Sequence, residues 1–295
     1  MPLSFIPAIF VLLWSTGWIV AKYAAPHASP LLFLTIRFAL AGVLFAVICL
    51  VVRARPLESR KAVAHAAFSG VFLHGIYLAG VWWAIAQGVP AGVSGVISAL
   101  QPLMAAVAAP FLVRERLALT QKIGLLIGFS GVMIAIAPGV IAVETGGIAL
   151  WPLLVNIAAM ASVTYGSIYQ KQHLHSGDIR MIAFLQYVGA FLFVAPLAWL
   201  VETPFFDNSV QGWGAVVWSV FGLSAGAIGL LLYLLRRGQV SQAASLNYMV
   251  PPTVALQAWL MFGERPSLAM IAGTAIAAVG VYLTNKKVLQ RGAFN

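Results

Sequence analysis

The chain has 295 residues, of which 62% are hydrophobic and only 8% charged, and its formal net charge is +10. Soluble domains carry about 25% charged residues, so the composition excludes a soluble fold and predicts an integral membrane protein. The single cysteine, Cys49, lies in an apolar run, which excludes a disulfide framework and a thiolate metal site.

Ten apolar segments follow one another, with short connections between them. Continuous apolar runs of ~20 residues suit helices that cross ~30 Å of hydrocarbon, whereas barrel strands would be short and alternating. We therefore predict an all-α integral membrane protein with ten transmembrane helices. The predicted spans cover residues 5–23, 31–52, 62–86, 91–113, 120–137, 148–170, 180–201, 213–235, 240–262 and 267–285.

The placement of Lys and Arg predicts the orientation. If the N-terminus is cytoplasmic, the connections on that side hold all of the 17 basic residues except Lys22, Arg37 and Arg265. The positive-inside rule then predicts that both termini are cytoplasmic. The net charge is thus mostly a topology signal, and no clustered basic surface suggests nucleic-acid binding.

One stretch of the chain occurs twice, as residues 88–136 and 237–285. Without a gap, the two copies match Pro102 with Pro251, Glu115 with Glu264, Arg116 with Arg265, Gly124 with Gly273 and Gly131 with Gly280. This predicts two repeats, residues 1–142 and 143–295, with five spans each. Because five is an odd number, the second repeat should be inverted in the membrane. Inverted repeats around a central cavity are typical of secondary transporters, whose substrate site lies near the midplane.

A family resemblance rests on these features together with a Trp- and Ser-containing first span and the Arg37–Phe38 pair in the second span. The chain resembles the EamA family of the drug/metabolite transporter superfamily, and within it the YddG-type aromatic amino-acid exporters. The resemblance implies that spans 1–4 and 6–9 surround the cavity while spans 5 and 10 stand outside it. It also implies export of amino acids across the bacterial inner membrane by alternating access.

Polar and aromatic side chains share narrow arcs on several spans that are otherwise apolar. Such an arc should face protein or a cavity rather than lipid, although small polar residues also serve ordinary helix packing. We expect the substrate cavity to be lined by Trp14, Ser15, Trp18, His74, Tyr77, Ser98, Gln101, Ser162, Tyr165, Ser245 and Tyr248.

Three ionisable residues lie within or at the end of a span. His74 is at the middle of span 3, where it is either a cavity group or a partner of a neighbouring helix. Arg37 either binds a substrate carboxylate or braces the helices through backbone carbonyls, and the brace is the expected role. Lys22, at the outer end of span 1, can extend its ammonium group toward the interface.

Prolines mark the centres of spans 4 and 9. Proline removes a backbone donor and clashes with the preceding turn, so each helix should kink there. We predict that Pro102, Pro251 and Pro252 act in hinges or gating, with static kinks as the alternative.

Two further groups should be structural. Six tryptophans near span ends, Trp82 among them, are expected in interfacial belts. Glu115 and Glu264 precede spans 5 and 10 and are expected to cap the N-termini of those helices.

The predicted function is export of aromatic and other neutral amino acids, and the alternative is another amphipathic metabolite or drug. All seven Asp and Glu lie at span ends or in loops, which argues against cationic substrates and carboxylate-mediated ion coupling. A phosphate dianion would want more than one buried cation. An intramembrane enzyme is disfavoured because His74 has no acidic partner in any span. No cofactor or metal is expected, and the protein should be a monomer.

Overall fold

A computed structural model describes residues 6–113, 118–141, 148–174, 176–227, 230 and 249–292. Within these residues the chain is helical, apart from an isolated antiparallel bridge between Ala28 and Phe206 in two connections. The prediction of an all-α protein is therefore confirmed for the described part of the chain.

The helices follow the order of the predicted spans. Their bounds are Ile6–Ala24 (α1), Pro30–Val51 (α2), Arg60–Gly70 (α3), Tyr77–Ala86 (α4), Ala91–Ile97 (α5), Leu100–Val113 (α6), Leu119–Ile141 (α7), Leu150–His173 (α8), Ile179–Val201 (α9), Val210–Val217 (α10), Val250–Phe262 (α11) and Leu268–Gly292 (α12). A π-helical segment, Val71–Ile76, joins α3 to α4, and a second one, Trp218–Ala227, continues α10.

Long apolar helices give the protein a lipid-facing surface. The described residues hold six helices that are long and apolar enough to cross a membrane, and shorter apolar helices at Ala8–Ala24, Val250–Phe262 and Leu268–Thr284. Large aliphatic side chains cover the outside, among them Leu126, Leu200 and Leu260, each more than 70% exposed. In water such a surface would be strongly unfavourable, so these helices are the spans of a multi-pass membrane protein.

The helix of the predicted fourth span is interrupted between α5 and α6, at Ser98 and Ala99. Pro102 has no N–H to donate to the Ser98 carbonyl, so the regular bonding pattern fails one turn before the proline. The chain tightens there instead: Ala99 N–H donates to the Val96 carbonyl and Gln101 N–H to the Ser98 carbonyl. The regular helix is thus interrupted one turn before Pro102, near the position where the sequence predicts a kink.

Helices α7 and α12 pack closely along a seam of glycines. A Cβ atom at Gly131 would lie 2.3 Å from the backbone nitrogen of Ala277, and one at Gly273 would lie 2.4 Å from the carbonyl oxygen of Gly131. Small residues that allow backbones to approach are the usual means of association between helices in membranes. Gly124, which faces Thr284 and Gly280, belongs to the same seam.

Two connections at one end of the bundle are joined by hydrogen bonds. His27 Nδ1 lies 2.6 Å from Asp207 Oδ2, and Ser29 N–H donates to the Phe205 carbonyl over 2.9 Å. Hydrogen bonds from Ser209 and His27 lower the pKa of Asp207 to about 2. The depressed pKa means that the stabilisation by this carboxylate is fully present above pH ~4 and is lost as the pH falls toward 2.

We expect the glycine seam to respond to a single methyl group. Gly273→Ala should lower the melting temperature of the protein in detergent, because the new Cβ would overlap Gly131 and overpacking costs about 1–3 kcal/mol. Gly214→Ala in α10 is the matched control: its Cβ would meet nothing within 4 Å, so the better helix propensity of alanine should leave the melting temperature unchanged or raised. Equal responses of the two variants would refute the close-packed seam.

Candidate functional site

A cavity of about 700 Å³ lies among the helices. This volume is within the range of small-molecule sites, about 300–1,000 Å³. Its aromatic lining comes from four helices, α1, α2, α4 and α9, and consists of Phe10, Trp14, Trp18, Phe45, Tyr77, Trp82 and Tyr187. These rings give it broad apolar surfaces that suit the body of an amphipathic solute.

The polar lining is neutral or cationic. The described polar and charged residues that line the cavity are Arg37, His74, Ser98, Gln101, Thr164, Ser167, Gln170, Arg180, Gln186 and Thr274. Among the described residues, no Asp or Glu belongs to the lining. Two cations thus face the cavity, and they differ in their partners.

Arg180 already has a counter-ion. Its Nε donates to Asp178 Oδ1 over 2.8 Å and its Nη2 donates to Asp178 Oδ2 over 2.6 Å, a two-point contact. The guanidinium lowers the pKa of Asp178 to about 2, so this carboxylate stays ionised at neutral pH. Arg180 and Ile179 are the first residues of α9, and the cavity therefore reaches this end of the bundle.

Arg37 is buried in α2, with only 6% of the residue exposed. Its guanidinium carbon lies 5.9 Å from the centre of the Trp82 ring, and its Nε has no hydrogen-bond partner. In the described part of the chain, no carboxylate forms an ion pair with Arg37. Its expected role as a brace to backbone carbonyls stays a prediction.

His74 lies in the π-helical segment and stacks on Tyr187 of α9. The two ring centres are 4.9 Å apart and the rings are nearly parallel, at 7°. Beside this stack, Gln186 Nε2 donates to Ser69 Oγ over 3.0 Å and to Gln170 Oε1 over 2.9 Å. Side chains from α3, α8 and α9 are thus tied together beside the lining.

At the end of the bundle opposite Arg180, a group of contacts around Glu264 joins three helices. Lys22 of α1 forms an ion pair with the Glu264 carboxylate, which also accepts hydrogen bonds from Ala91 N–H and Gly92 N–H at 3.2 and 3.1 Å. These contacts correct one prediction, because Glu264 caps α5 rather than the helix that follows it. They also give the Lys22 ammonium group a carboxylate partner. The equivalent Glu115 lies outside the described residues.

The predicted cavity residues divide into three groups. Six of them line the cavity: Trp14, Trp18, His74, Tyr77, Ser98 and Gln101. Ser15, Ser162 and Tyr165 are not among its lining residues, and Ser245 and Tyr248 lie outside the described residues. Ser162 donates instead to the Phe72 carbonyl over 2.9 Å, and Tyr165 is 47% exposed with its ring 4.7 Å from that of Phe72.

The proline positions are only partly described. Pro102 and Pro251 line the cavity, whereas Pro252 is exposed. Pro251 and Pro252 occupy the first turn of α11, where a missing N–H is tolerated, and residues 241–248 before them lie outside the described part of the chain.

Sequence reasoning missed several lining residues. Trp82 was expected in an interfacial belt, but it is only 2% exposed, packed between Phe33 and Arg37. Tyr187 and Gln170 carried no signal beyond their residue type. Gln186 did carry a signal in the sequence, because it occupies the position in the second repeat that Arg37 occupies in the first.

Comparison with known proteins gives a consistent result. Residues 4–137 and 150–286 match the model of the EamA-like transporter family. An uncharacterised transporter of Bacillus subtilis (strain 168) is 25% identical over 95% of this chain and 90% of its own length. A probable amino-acid metabolite efflux pump of Salmonella typhimurium is 24% identical over 95% of this chain and 93% of its own.

Two further similarities concern a third relative and a solved structure. A probable terminal-alkyne amino-acid exporter of Streptantibioticus cattleyicolor is 26% identical over 69% of this chain and 67% of its own. One crystal structure, 20% identical, superimposes with a TM-score of 0.64 over 97% of both chains, which shows a shared fold.

We expect the two tryptophans Trp82 and Trp151 to differ in their effect on stability. Trp82→Ala should destabilise the protein by about 3–5 kcal/mol, since it removes a fully packed aromatic ring. Trp151→Ala is the control, because that side chain is 68% exposed at the start of α8. Thermal unfolding in detergent measures both, and a belt position for Trp82 would be indicated if the two losses were equally small.

Proposed function

This chain belongs to the EamA-like transporter family, and we propose that it is a secondary transporter that exports amino acids, aromatic and other neutral ones included. The observation that carries the proposal is the cavity. It is walled by aromatic rings, contains Gln and Ser side chains and has no acidic lining residue in the described chain. Such a lining suits a solute with an apolar body and a few polar groups.

The names of two relatives favour amino acids over other amphipathic solutes. The Salmonella typhimurium and Streptantibioticus cattleyicolor proteins are named as an efflux pump for amino-acid metabolites and an exporter of a terminal-alkyne amino acid. Export of another amphipathic metabolite or drug is the second candidate, because the aromatic wall would accept it equally well. An intramembrane enzyme is disfavoured by membership of a transporter family.

We propose that residues 1–142 and 143–295 form inverted five-helix repeats, giving ten transmembrane helices around the cavity. Three observations support this. Equivalent helices pack on each other, α2 on α9 and α7 on α12, and α5 of the predicted fourth span packs on α11 of the equivalent ninth span. The two π-helical segments, Val71–Ile76 and Trp218–Ala227, occupy equivalent positions of the repeats. The two stretches that match the family model also correspond to the two repeats.

Alternating access then assigns roles to the two ends. With cytoplasmic termini in the bacterial inner membrane, Arg180 lies at the cytoplasmic end and Lys22 at the outer end. The cavity reaches the Arg180 end, whereas the contacts of Glu264 tie α1, α5 and α11 together at the Lys22 end. This arrangement supports an inward-facing state ready to load substrate from the cytoplasm. Pro102 in α6 and Pro251 and Pro252 in α11 would serve as the hinges of the transition.

Transport is tested with purified protein in liposomes. Labelled L-phenylalanine should cross the membrane faster in proteoliposomes than in empty liposomes, and the flux should saturate. If no labelled amino acid crosses faster while amphipathic dyes or drugs do, the second candidate replaces the first. If neither class crosses, export of amphipathic solutes is wrong.

A pair of tyrosines provides the internal control. Tyr77→Ala removes a ring from the cavity wall and should reduce L-phenylalanine flux about tenfold, the effect of losing one well-packed ring contact. Tyr165→Ala should keep the parental flux, since Tyr165 packs against Phe72 and Tyr169 outside the lining.

We expect the Lys22–Glu264 ion pair to hold the outer end closed. Glu264→Gln keeps an oxygen to cap α5 but removes the charge, so the pair's attraction of up to about 1 kcal/mol is lost and the open population should rise roughly fivefold. Spin labels are placed at the exposed positions Tyr23 and Arg265, in a Cys49→Ala background. Opening of this end should appear as an increased distance between the two labels.

Lys22→Met should shift the label distance in the same direction, and combining it with Glu264→Gln should add little. Lys61→Met, an exposed cation at the other end of the bundle, is the control and should shift nothing. Distance distributions identical to the parent in both Lys22→Met and Glu264→Gln would show that the pair does not close this end.

A further inference from the structure

Two side chains of the cavity lining carry a buried polar atom that has no hydrogen-bond partner in the described part of the chain. One is Nε of Arg37, and the other is Nε1 of Trp18, whose residue is 4% exposed. Both groups can only donate hydrogen bonds, because neither guanidinium nor indole nitrogen accepts them. A ligand that completes them must therefore present acceptor atoms.

Charge points to the same kind of ligand. Two other cations of the described chain form ion pairs within the protein, Lys22 with Glu264 and Arg180 with Asp178. Arg37 is more buried than either, and the described residues near it are the Trp82 ring at 5.9 Å and the neutral residues Tyr77 and Tyr187. A buried cation without a counter-ion is unfavourable in a low-dielectric environment, and an anionic group of the ligand would remove this cost.

The cavity offers no counter-ion to a positively charged group of a ligand. No Asp or Glu of the described chain lines it, and each of the described carboxylates Asp178, Asp207 and Glu264 has a charged or histidine partner elsewhere. An ammonium group would meet the neutral oxygens of residues such as Ser98, Gln101 and Gln170 and the faces of the aromatic rings, without a carboxylate to neutralise its charge. Recognition is thus one-sided, with a strong site for an anion and weak contacts for a cation.

We propose that Arg37 is the carboxylate-binding residue of the cavity, and that the cavity selects its substrates by their carboxylate rather than their ammonium group. Aromatic monocarboxylates that lack an amino group are then ligands as good as the corresponding amino acids. The guanidinium fork binds the two carboxylate oxygens side by side, and the indole N–H of Trp18 is a further unpaired donor in the lining of the same cavity. This inference rests on the proposed function, whose substrates are amphipathic amino acids.

The test uses three probes with the same phenylalkyl body: L-phenylalanine, 3-phenylpropionate, which has the carboxylate only, and 2-phenylethylamine, which has the ammonium only. Ligands that bind the folded state raise its melting temperature, and at a fixed ligand concentration a tighter ligand raises it more. We therefore measure ligand-induced stabilisation of the purified full-length protein in detergent, which avoids the passive leak of amines through bilayers. L-phenylalanine and 3-phenylpropionate should stabilise the parent protein. 2-phenylethylamine should bind at least about tenfold more weakly than either and should not raise the melting temperature at the same concentration.

Variants at position 37 separate a ligand-binding role from a brace. Arg37→Met should weaken the binding of L-phenylalanine and 3-phenylpropionate by about 10- to 100-fold. The ligand-free variant should melt at the same or a higher temperature than the parent, because an uncompensated buried charge is gone. Arg37→Lys keeps the charge without the fork and should be intermediate. Arg60→Gln, which removes an exposed cation at the start of α3, is the matched control and should bind both carboxylates like the parent.

The outcomes that overturn the inference are distinct from those that overturn the proposed function. If L-phenylalanine stabilises the parent and Arg37→Met equally, or if ligand-free Arg37→Met is destabilised with its ligand affinity intact, Arg37 is a brace and amino-acid transport still stands. If 2-phenylethylamine stabilises the parent as much as 3-phenylpropionate does, carboxylate selection is wrong. If none of the three probes stabilises the parent, the aromatic substrate class fails and the inference fails with it.

Discussion

In hydrocarbon, every backbone N–H and C=O group must find its partner within the protein, and the architecture of this chain follows from that constraint. The apolar segments are helices, and departures from regular α-helix occur at Val71–Ile76 and at Ser98 and Ala99. Each of these departures carries lining residues, His74 in the first and Ser98 in the second. Irregular backbone is tolerated inside a membrane only where protein or a cavity covers it, so the same constraint that fixes the helices also concentrates the adaptable segments at the site.

The charges of the protein are divided between the ends and the middle of the bundle. At the ends, carboxylates and cations or histidine form pairs, Lys22 with Glu264, Asp178 with Arg180 and His27 with Asp207. Lys22–Glu264 and His27–Asp207 join elements far apart in sequence, whereas Asp178–Arg180 is a local pair at the start of α9. In the middle, Arg37 is left without such a partner in the described chain. A buried charge that forms no ion pair in the ligand-free protein is a candidate for binding a ligand of opposite charge.

The sequence predicted the helices well because apolar length alone decides them: the span predicted at residues 180–201 is the helix Ile179–Val201. It predicted the cavity less well, because an arc on a helix shows which residues share a face and not what that face touches. Ser162 and Tyr165 share an arc, yet one bonds a neighbouring backbone and the other packs outside the lining. Trp82 lies near a helix end like a belt residue, but tertiary packing turns it inward. Glu264 caps a helix start 173 positions away in the chain, and no local pattern signals that contact.

The proposed duplication explains why the scaffold is easier to recognise than the substrate. The positions that pack the two copies together are kept in both, such as Gly124 and its equivalent Gly273 in the seam of α7 and α12. The positions that face the cavity have diverged: Arg37 corresponds to Gln186, and His74 corresponds to Leu223, which also lines the cavity. One copy therefore supplies the cation and the imidazole, and the other supplies an amide and an aliphatic side chain at the equivalent places. In the proposed binding mode, this asymmetric lining gives a bound solute one preferred direction, with its acidic group toward α2 and its apolar body among the rings of the cavity wall.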